Sequence, residues 1–233
     1  MLLFKLVFFL VLFFSHAFCF KFSPTAIQKI LDDHNNLRSL IARNNYMAKT
    51  GPEGPAMNMQ RITWDDRVAE NAQRYANTLQ VMAHSPKNHK IGLAENLCVG
   101  GPAADLSEVN MMNFLDTCNR MFADELKSIG VIRDVYGGVT WNLPNSHAIN
   151  MIGATTNRIG CGLSPATQDG RSILVCQYKK DGSVDIGSLY FRGPTCSQCP
   201  AGTHCEMNSG LCECDEPGKE MCAPDLTTVY WND

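Results

Sequence analysis

The residues able to do chemistry in this 233-residue chain begin with eleven cysteines and six histidines. An odd count of cysteines leaves one thiol over, and in an oxidising compartment such a thiol oxidises or cross-links. Cys19 resolves the parity, because it falls at the end of an export leader. Cleavage after it leaves ten: Cys98, Cys118, Cys161, Cys176, Cys196, Cys199, Cys205, Cys212, Cys214 and Cys222. All ten can pair, and a disulfide sulfur is neither a nucleophile nor a thiolate ligand, so cysteine catalysis is not expected. Ser146 stands beside His147, but neighbours on an extended segment point to opposite faces and are badly placed for proton transfer. His34 falls on an apolar helical stripe and reads as a core histidine with a backbone partner. His89 and His204 read as solvated loop residues.

The leader itself occupies residues 1–19. Lys5 precedes an apolar run from Leu6 to Phe14, followed by small and mixed residues at Ser15, His16 and Ala17, which is the order of a secretory signal. A membrane span needs about 20 apolar residues, and His16 and Lys21 interrupt this run sooner. The expected location is extracellular, with no integral membrane segment in the mature chain. Against 20 Lys and Arg stand 23 Asp and Glu, a net charge of −3 that becomes −4 once Lys5 is removed, and no basic run occurs. Nucleic acid is therefore not an expected partner, since phosphate binding needs clustered cations. No Asn-x-Ser/Thr sequon is present, so N-linked glycan is not expected.

Positioning falls to a body at residues 20–192 and a cysteine-rich tail at 193–233. Ser23-Pro24 starts a helix, with the hydroxyl as cap and Pro at the first helical position. Ile27, Ile30, Leu31, His34, Leu37 and Ile41 then recur at helical spacing. A second helix is expected from Thr63, burying Trp64, Val68, Ala72, Tyr75, Ala76 and Leu79. A third runs through Phe114, Cys118, Met121, Phe122, Glu125 and Leu126 to Gly130. The segments Ala148 to Thr155, Arg158 to Leu163 and Ser172 to Tyr178 are short and strand-like, separated by Gly, Pro and Asp turns. Helices first and antiparallel strands afterwards predict an α+β layered domain. A hairpin would bring Cys161 and Cys176 side by side, which leaves Cys98 for Cys118 by elimination. The tail's six cysteines are too many for sequence to choose a pairing, and a segment this short is expected to be held by its bridges.

Four segments carry more information together than apart. They are His34-Asn35-Asn36-Leu37-Arg38; Thr63-Trp64-Asp65-Asp66 running on to Tyr75-Ala76-Asn77; Ala83-His84-Ser85 followed by Ala94-Glu95-Asn96-Leu97; and Cys161 followed by Val175-Cys176-Gln177-Tyr178. In this order and at these separations they resemble the CAP superfamily, the cysteine-rich secretory, antigen 5 and pathogenesis-related 1 proteins. The tail from Cys196 to Cys212 resembles the hinge of nematode venom-allergen-like or activation-associated secreted proteins. The resemblance implies a three-layer α-β-α sandwich whose central cleft is lined by His84, Glu95, Glu125 and His147. Asp124 neighbours Glu125, but motif alignment favours Glu125. The signature around His147 departs from the family pattern: Ala148, Ile149, Asn150 and Gly153 stand where an aromatic, Thr, Gln and Trp are usual. The cleft is then expected to be wider or repacked.

Two imidazoles and two carboxylates suit a divalent metal such as zinc. They equally suit a hydrogen-bonded cluster in which each His is oriented by a Glu and no metal is required. No cofactor is expected to be obligatory, and no catalytic turnover. The resemblance implies binding of sterols or fatty acids, with the loop 131–146 corresponding to the sterol-binding loop. In that loop Val131, Ile132, Val135, Tyr136, Val139 and Trp141 either form an apolar interaction surface or cap the core. The competing functional expectation is an immunomodulatory ligand of a host receptor or glycosaminoglycan, with a metal-dependent hydrolase behind both.

Overall fold

The computed structural model describes residues 20–89, 92–102, 105–131, 144–180 and 189–216. Residues 1–19, Cys222 and most of the loop after Val131 lie outside these.

Helix α1, Pro24–Ala42, starts where expected: Ser23 Oγ accepts from the Ala26 N–H and Pro24 occupies the first turn. It is followed by a small hairpin of β1, Tyr46–Ala48, and β2, Gly51–Glu53. The next stretch corrects the sequence reading. Thr63 and Trp64 form a strand, β3, and Asp65 caps the helix α2, Asp66–Ala76, through bonds from the Arg67 and Val68 N–H groups. An aspartate carboxylate directly before the helical run is a stronger start signal than Thr63 two residues earlier. Then come β4, Leu93–Pro102, and α3, Glu108–Ser128.

A second correction falls at Ser146–Ile152, which is a helix, α4, and not a strand. Its ends are completed from far away in the chain. At the start, Ala148 N–H donates to Glu125 Oε2 at 3.0 Å. At the end, the Arg38 guanidinium takes the Met151 and Gly153 carbonyls at 2.9 and 2.8 Å. Orphan groups at both termini of this short helix are thus satisfied by side chains that local periodicity cannot reveal.

Strands β5, Thr156–Leu163, and β6, Arg171–Lys180, complete a four-stranded sheet in the order β3-β5-β6-β4. β3 runs parallel to β5, and the other pairs are antiparallel. Alternation sorts the side chains by face. Leu97, Ile173 and Val175 meet Ala72, Tyr75 and Ala76 of α2. Cys98, Leu174, Cys176 and Tyr178 meet the layer of α1, α3 and α4 on the other side. The disulfides Cys98–Cys118 and Cys161–Cys176 form as expected. The molecule is a three-layer α-β-α sandwich with a cysteine-rich C-terminal segment.

Two glycines set the spacing of one layer. A Cβ on Gly160 would lie 2.1 Å from the Ala69 nitrogen, and one on Gly162 would lie 2.5 Å from the Gln73 nitrogen. The backbone of α2 therefore rests directly on β5. Gly160→Ala is expected to cost about 1–3 kcal/mol by pushing the helix off the strand, read as a lower urea midpoint at unchanged slope. An unchanged midpoint would contradict this packing.

The tail is held by more than its bridges. Strands β7, Thr203–Glu206, and β8, Leu211–Cys214, pair under the disulfides Cys196–Cys205 and Cys199–Cys212. Cys214 is also disulfide-bonded. Leu211 is fully buried in the main core, Cys212 exchanges backbone bonds with Met59 and Arg61, and Arg61 pairs with Glu213 at 2.6 Å.

Candidate functional site

β4 is an edge strand of the sheet, and consecutive residues on it serve two networks. Glu95 points toward the α2 side. Its Oε1 accepts from His84 Nδ1 and from the Ser85 N–H, each at 2.9 Å, and its Oε2 accepts from Ser85 Oγ at 2.6 Å and Gln177 Nε2 at 2.9 Å. Gln177 is placed by register, directly opposite Glu95, and is held in turn by Asn71 Nδ2 at 2.6 Å. Burial alone would raise the Glu95 carboxyl, but the bonds from His84, Ser85 and Gln177 outweigh it and hold it at about 2.

The neighbouring Asn96 points the other way. It donates to the His147 carbonyl and to the Tyr178 hydroxyl, both at 3.0 Å, and accepts from Asn150 Nδ2 at 2.9 Å. Tyr178 continues to His34 Nε2 at 3.0 Å, and His34 Nδ1 donates to the Ile30 carbonyl at 2.7 Å. This tautomer makes the Tyr178 hydroxyl the donor to His34. His34 is thus a core residue with a backbone partner, as its place on the stripe predicted.

A second imidazole-carboxylate pair forms where α3 meets α4. His147 Nδ1 lies 2.6 Å from Glu125 Oε1, and the His147 ring stacks on Phe122 with centroids 4.9 Å apart. Asp124 instead faces Lys127 at 3.2 Å, away from the site. In both pairs the carboxylate is the more buried partner: the His84 side chain is 55% exposed over a fully buried Glu95, and His147 is 29% exposed over Glu125 at 15%. Each His is bound through Nδ1, so Nε2 is the ring nitrogen left for a ligand. The carboxylates orient the imidazoles, a placement typical of outer-shell groups at metal sites.

Among the described residues, no three of these four bring donor atoms within 4.8 Å of one another. The group that does is Cys196, Cys199 and Cys212. Those sulfurs belong to the adjoining disulfides Cys196–Cys205 and Cys199–Cys212, so they are not thiolates and cannot bind a metal as such.

The altered signature after His147 is repacked, not hollow. Ala148 is fully buried, and a Cβ on Gly153 would meet Thr156 Oγ1 at 3.0 Å. Phe122 on α3 supplies a ring against His147. Of the two expectations for Val131, interaction surface or core cap, the second holds: it is 3% exposed and belongs to the core. Ile132, Val135, Tyr136, Val139 and Trp141 lie outside the described residues. His204 is on strand β7, with Nδ1 2.8 Å from Asp215. Ser85, Asn96, Gln177 and Tyr178 lie inside the sequence motifs, which assign them no role. Strand register would have pointed to Gln177, since an amide opposite a buried carboxylate is its natural donor.

The sandwich, the edge-strand site and the stapled tail together define a known class. A family model described as cysteine-rich secretory protein family, CAP, matches residues 31–178, and the chain belongs to that family. It is 32% identical over 170 residues to venom allergen 5.02 of Vespa crabro, covering 70% of this chain and 79% of that protein. It is 29% identical over 187 residues to the Ancylostoma secreted protein of Ancylostoma caninum, covering 78% of this chain and 42% of that protein. Among solved structures, NaASP2 with Zn2+ superposes with a TM-score of 0.69 at 26% identity, covering 82% of this chain and 96% of that one. BmVAL-1 superposes with a TM-score of 0.71 at 23% identity, covering 84% and 97%. Relatives named as venom and secreted proteins, with disulfides throughout both cysteine groups, fit an oxidising extracellular setting. Among the described residues no helix is long and apolar enough to cross a membrane.

Proposed function

We propose that this CAP protein is exported and acts by binding, taking a sterol or fatty acid and a divalent cation without turning over a substrate. The observation that carries this reading is the saturation of both carboxylates. Glu95 accepts on both oxygens, and Glu125 is occupied by His147 and the Ala148 N–H. Neither carboxylate is thereby placed to take a proton from a water, and Ser85 Oγ is committed as a donor to Glu95, so the groups left to act are the two imidazole Nε2 atoms, which we assign to holding a cation.

For a cation the donor set fits in a restricted way. His84 and His147 would hold it through Nε2, while Glu95 and Glu125 keep the rings oriented. A bound zinc ion would supply Lewis acidity at that point. Apolar exposure beside the site supports a lipid: Val81 and Met82 are 70% and 56% exposed on the segment leading into His84.

Isothermal titration with zinc at neutral pH is expected to show heat for the native chain and none for His84→Ala with His147→Ala. Equal heats would end the cation reading. Radiolabelled cholesterol is expected to bind and to be lost when Val81 and Met82 are both changed to Ser. Binding absent from the native chain, together with no lipid extractable from the recombinant protein, would end the lipid reading.

A further inference from the structure

A cavity of about 660 Å³ lies at the other edge of the sheet, remote from the imidazole-carboxylate pairs, lined in part by Phe20, Phe22, Trp64, Ala69, Gln73 and Cys161. Its origin is the shortness of β3. That strand covers β5 only at Arg158 and Ile159, and the chain then turns away into α2. The outer edge of β5 beyond Ile159 is left without a neighbouring strand.

Alternate residues of a strand turn their N–H and C=O to the same side. The Ile159 carbonyl points outward, where it accepts from the Asp65 N–H at 2.9 Å. Leu163 also points outward, with its N–H and C=O both bound to the Gln73 side-chain amide at 2.9 Å. Cys161, midway between them, must turn its N–H and C=O the same way. Its Cα stands 4.1 Å from that of Cys176, as in a pair that exchanges no ladder bonds. Among the described residues neither Cys161 group has a partner on that outer side. The cavity thus holds one sheet-edge donor and one acceptor, bracketed by positions already satisfied.

One side of the wall is aromatic, and Lys21, Asp66, Glu70, Arg74 and Asn77 line the remainder with polar groups. Phe20 and Phe22 meet edge to face at 4.9 Å, and Phe22 meets Trp64 at 6.3 Å. We propose that this cavity binds a short extended peptide segment of a partner protein. Its central residue would exchange two backbone hydrogen bonds with Cys161 and seat a bulky apolar side chain against Phe20, Phe22 and Trp64. The volume is that of a small-ligand pocket, and pairing at a sheet edge is an established mode of peptide capture. A hydrocarbon chain would fill the space yet leave the buried Cys161 donor and acceptor unpaired and displace water from the polar part of the wall, both of which are costly. The occupied groups of Ile159 and Leu163 limit the ladder to one residue and so select a short segment over a long strand.

The test is a nuclear magnetic resonance titration of the nitrogen-15-labelled mature chain with an acetylated, amidated Ala-Phe-Ala tripeptide. A saturable shift of the Cys161 amide is expected. Ala69→Trp, which fills the cavity from the outer face of α2, is expected to weaken binding by about ten-fold or more. The tripeptide carrying an ester oxygen in place of the central N–H is expected to bind roughly five-fold more weakly to the native chain, the loss of one hydrogen bond. This arm needs no variant and stands even if Ala69→Trp fails to fold. No saturable shift at Cys161, equal affinity for ester and amide, or palmitate shifting the same amide and excluding the peptide would each overturn the proposal.

Discussion

Arg38→Met is expected to lower the free energy of unfolding by about 3–5 kcal/mol, the largest single-residue effect anticipated in this protein. Arg38 is fully buried, and burial pulls its guanidinium down to about 9, still charged at neutral pH. Among the described residues no carboxylate pairs with it. Its donors go to four backbone carbonyls: Nε and Nη2 to Gln60, Nη1 to Met151 and Gly153, and Nη2 also to Ala154 at 3.1 Å. Those carbonyls belong to the loop before β3, the end of α4 and the turn into β5, so one side chain joins three segments. Methionine donates nothing, leaving the buried Gln60 and Met151 carbonyls unsatisfied, while Gly153 and Ala154 keep only the Thr156 and Gln60 N–H groups. Arg38→Lys keeps the charge and loses the fork, and is expected to recover only part of the loss. Urea unfolding of the oxidised protein measures both, and a loss below about 1 kcal/mol for Arg38→Met would refute the clamp.

Acid is expected to destabilise the fold in two windows, the upper assigned to His34 and the lower shared by Glu95, the buried member, with Asp169 and Glu206. Burial, with Arg38 adding to it, pulls His34 down from 6.5 to about 4, against the raising effects of the Ile30 bond and Asp33. The folded protein therefore keeps His34 neutral while the unfolded chain protonates it. Stability falls as pH drops from 6.5 toward 4, by up to about 3 kcal/mol. Structure gives the reason: Nε2 accepts the Tyr178 hydroxyl proton, and burial pushes that hydroxyl up, so it remains a donor facing any new proton. Glu95 is depressed from 4.5 to about 2, so its contribution is complete above 4.5 and is lost as pH falls from there toward 2. Urea midpoints from pH 7 to pH 2 should fall in both windows. His34→Gln should flatten the upper window alone, and Glu95→Gln should shrink the lower alone, leaving the part due to Asp169 and Glu206. A His34→Gln profile parallel to that of the native chain between 6.5 and 4 would show that His34 is not the titrating group.

The two windows bear on the proposed function through Asn96. It touches Tyr178 on one side and the His147 carbonyl on the other. Loosening the His34 network on acidification would therefore reach the backbone of the second imidazole-carboxylate pair.

Much of this protein is determined by local sequence. The cap at Ser23-Pro24, the stripe from Ile27 to Ile41 and the paired cysteines of the β5-β6 hairpin each depend on residues a few positions apart or on one turn, and periodicity reports them. The quoted motifs likewise identified the CAP fold and the two imidazole-carboxylate pairs by residue. Tertiary structure decided what those motifs could not. Ser146–Ile152 became a helix because Glu125 and Arg38 complete its ends from other elements. Trp64 joined a strand because β5 offered it an edge. The two glutamates became orienters of the imidazoles because Ser85, Gln177 and Ala148 occupy their remaining lone pairs. The unpaired edge at Cys161 exists only because β3 stops after two residues beside a longer strand. In each case the deciding partner is a hydrogen-bonding group distant in sequence. A local pattern carries the preference of a segment for helix or strand, whereas the satisfaction of its buried polar groups is settled when the layers meet.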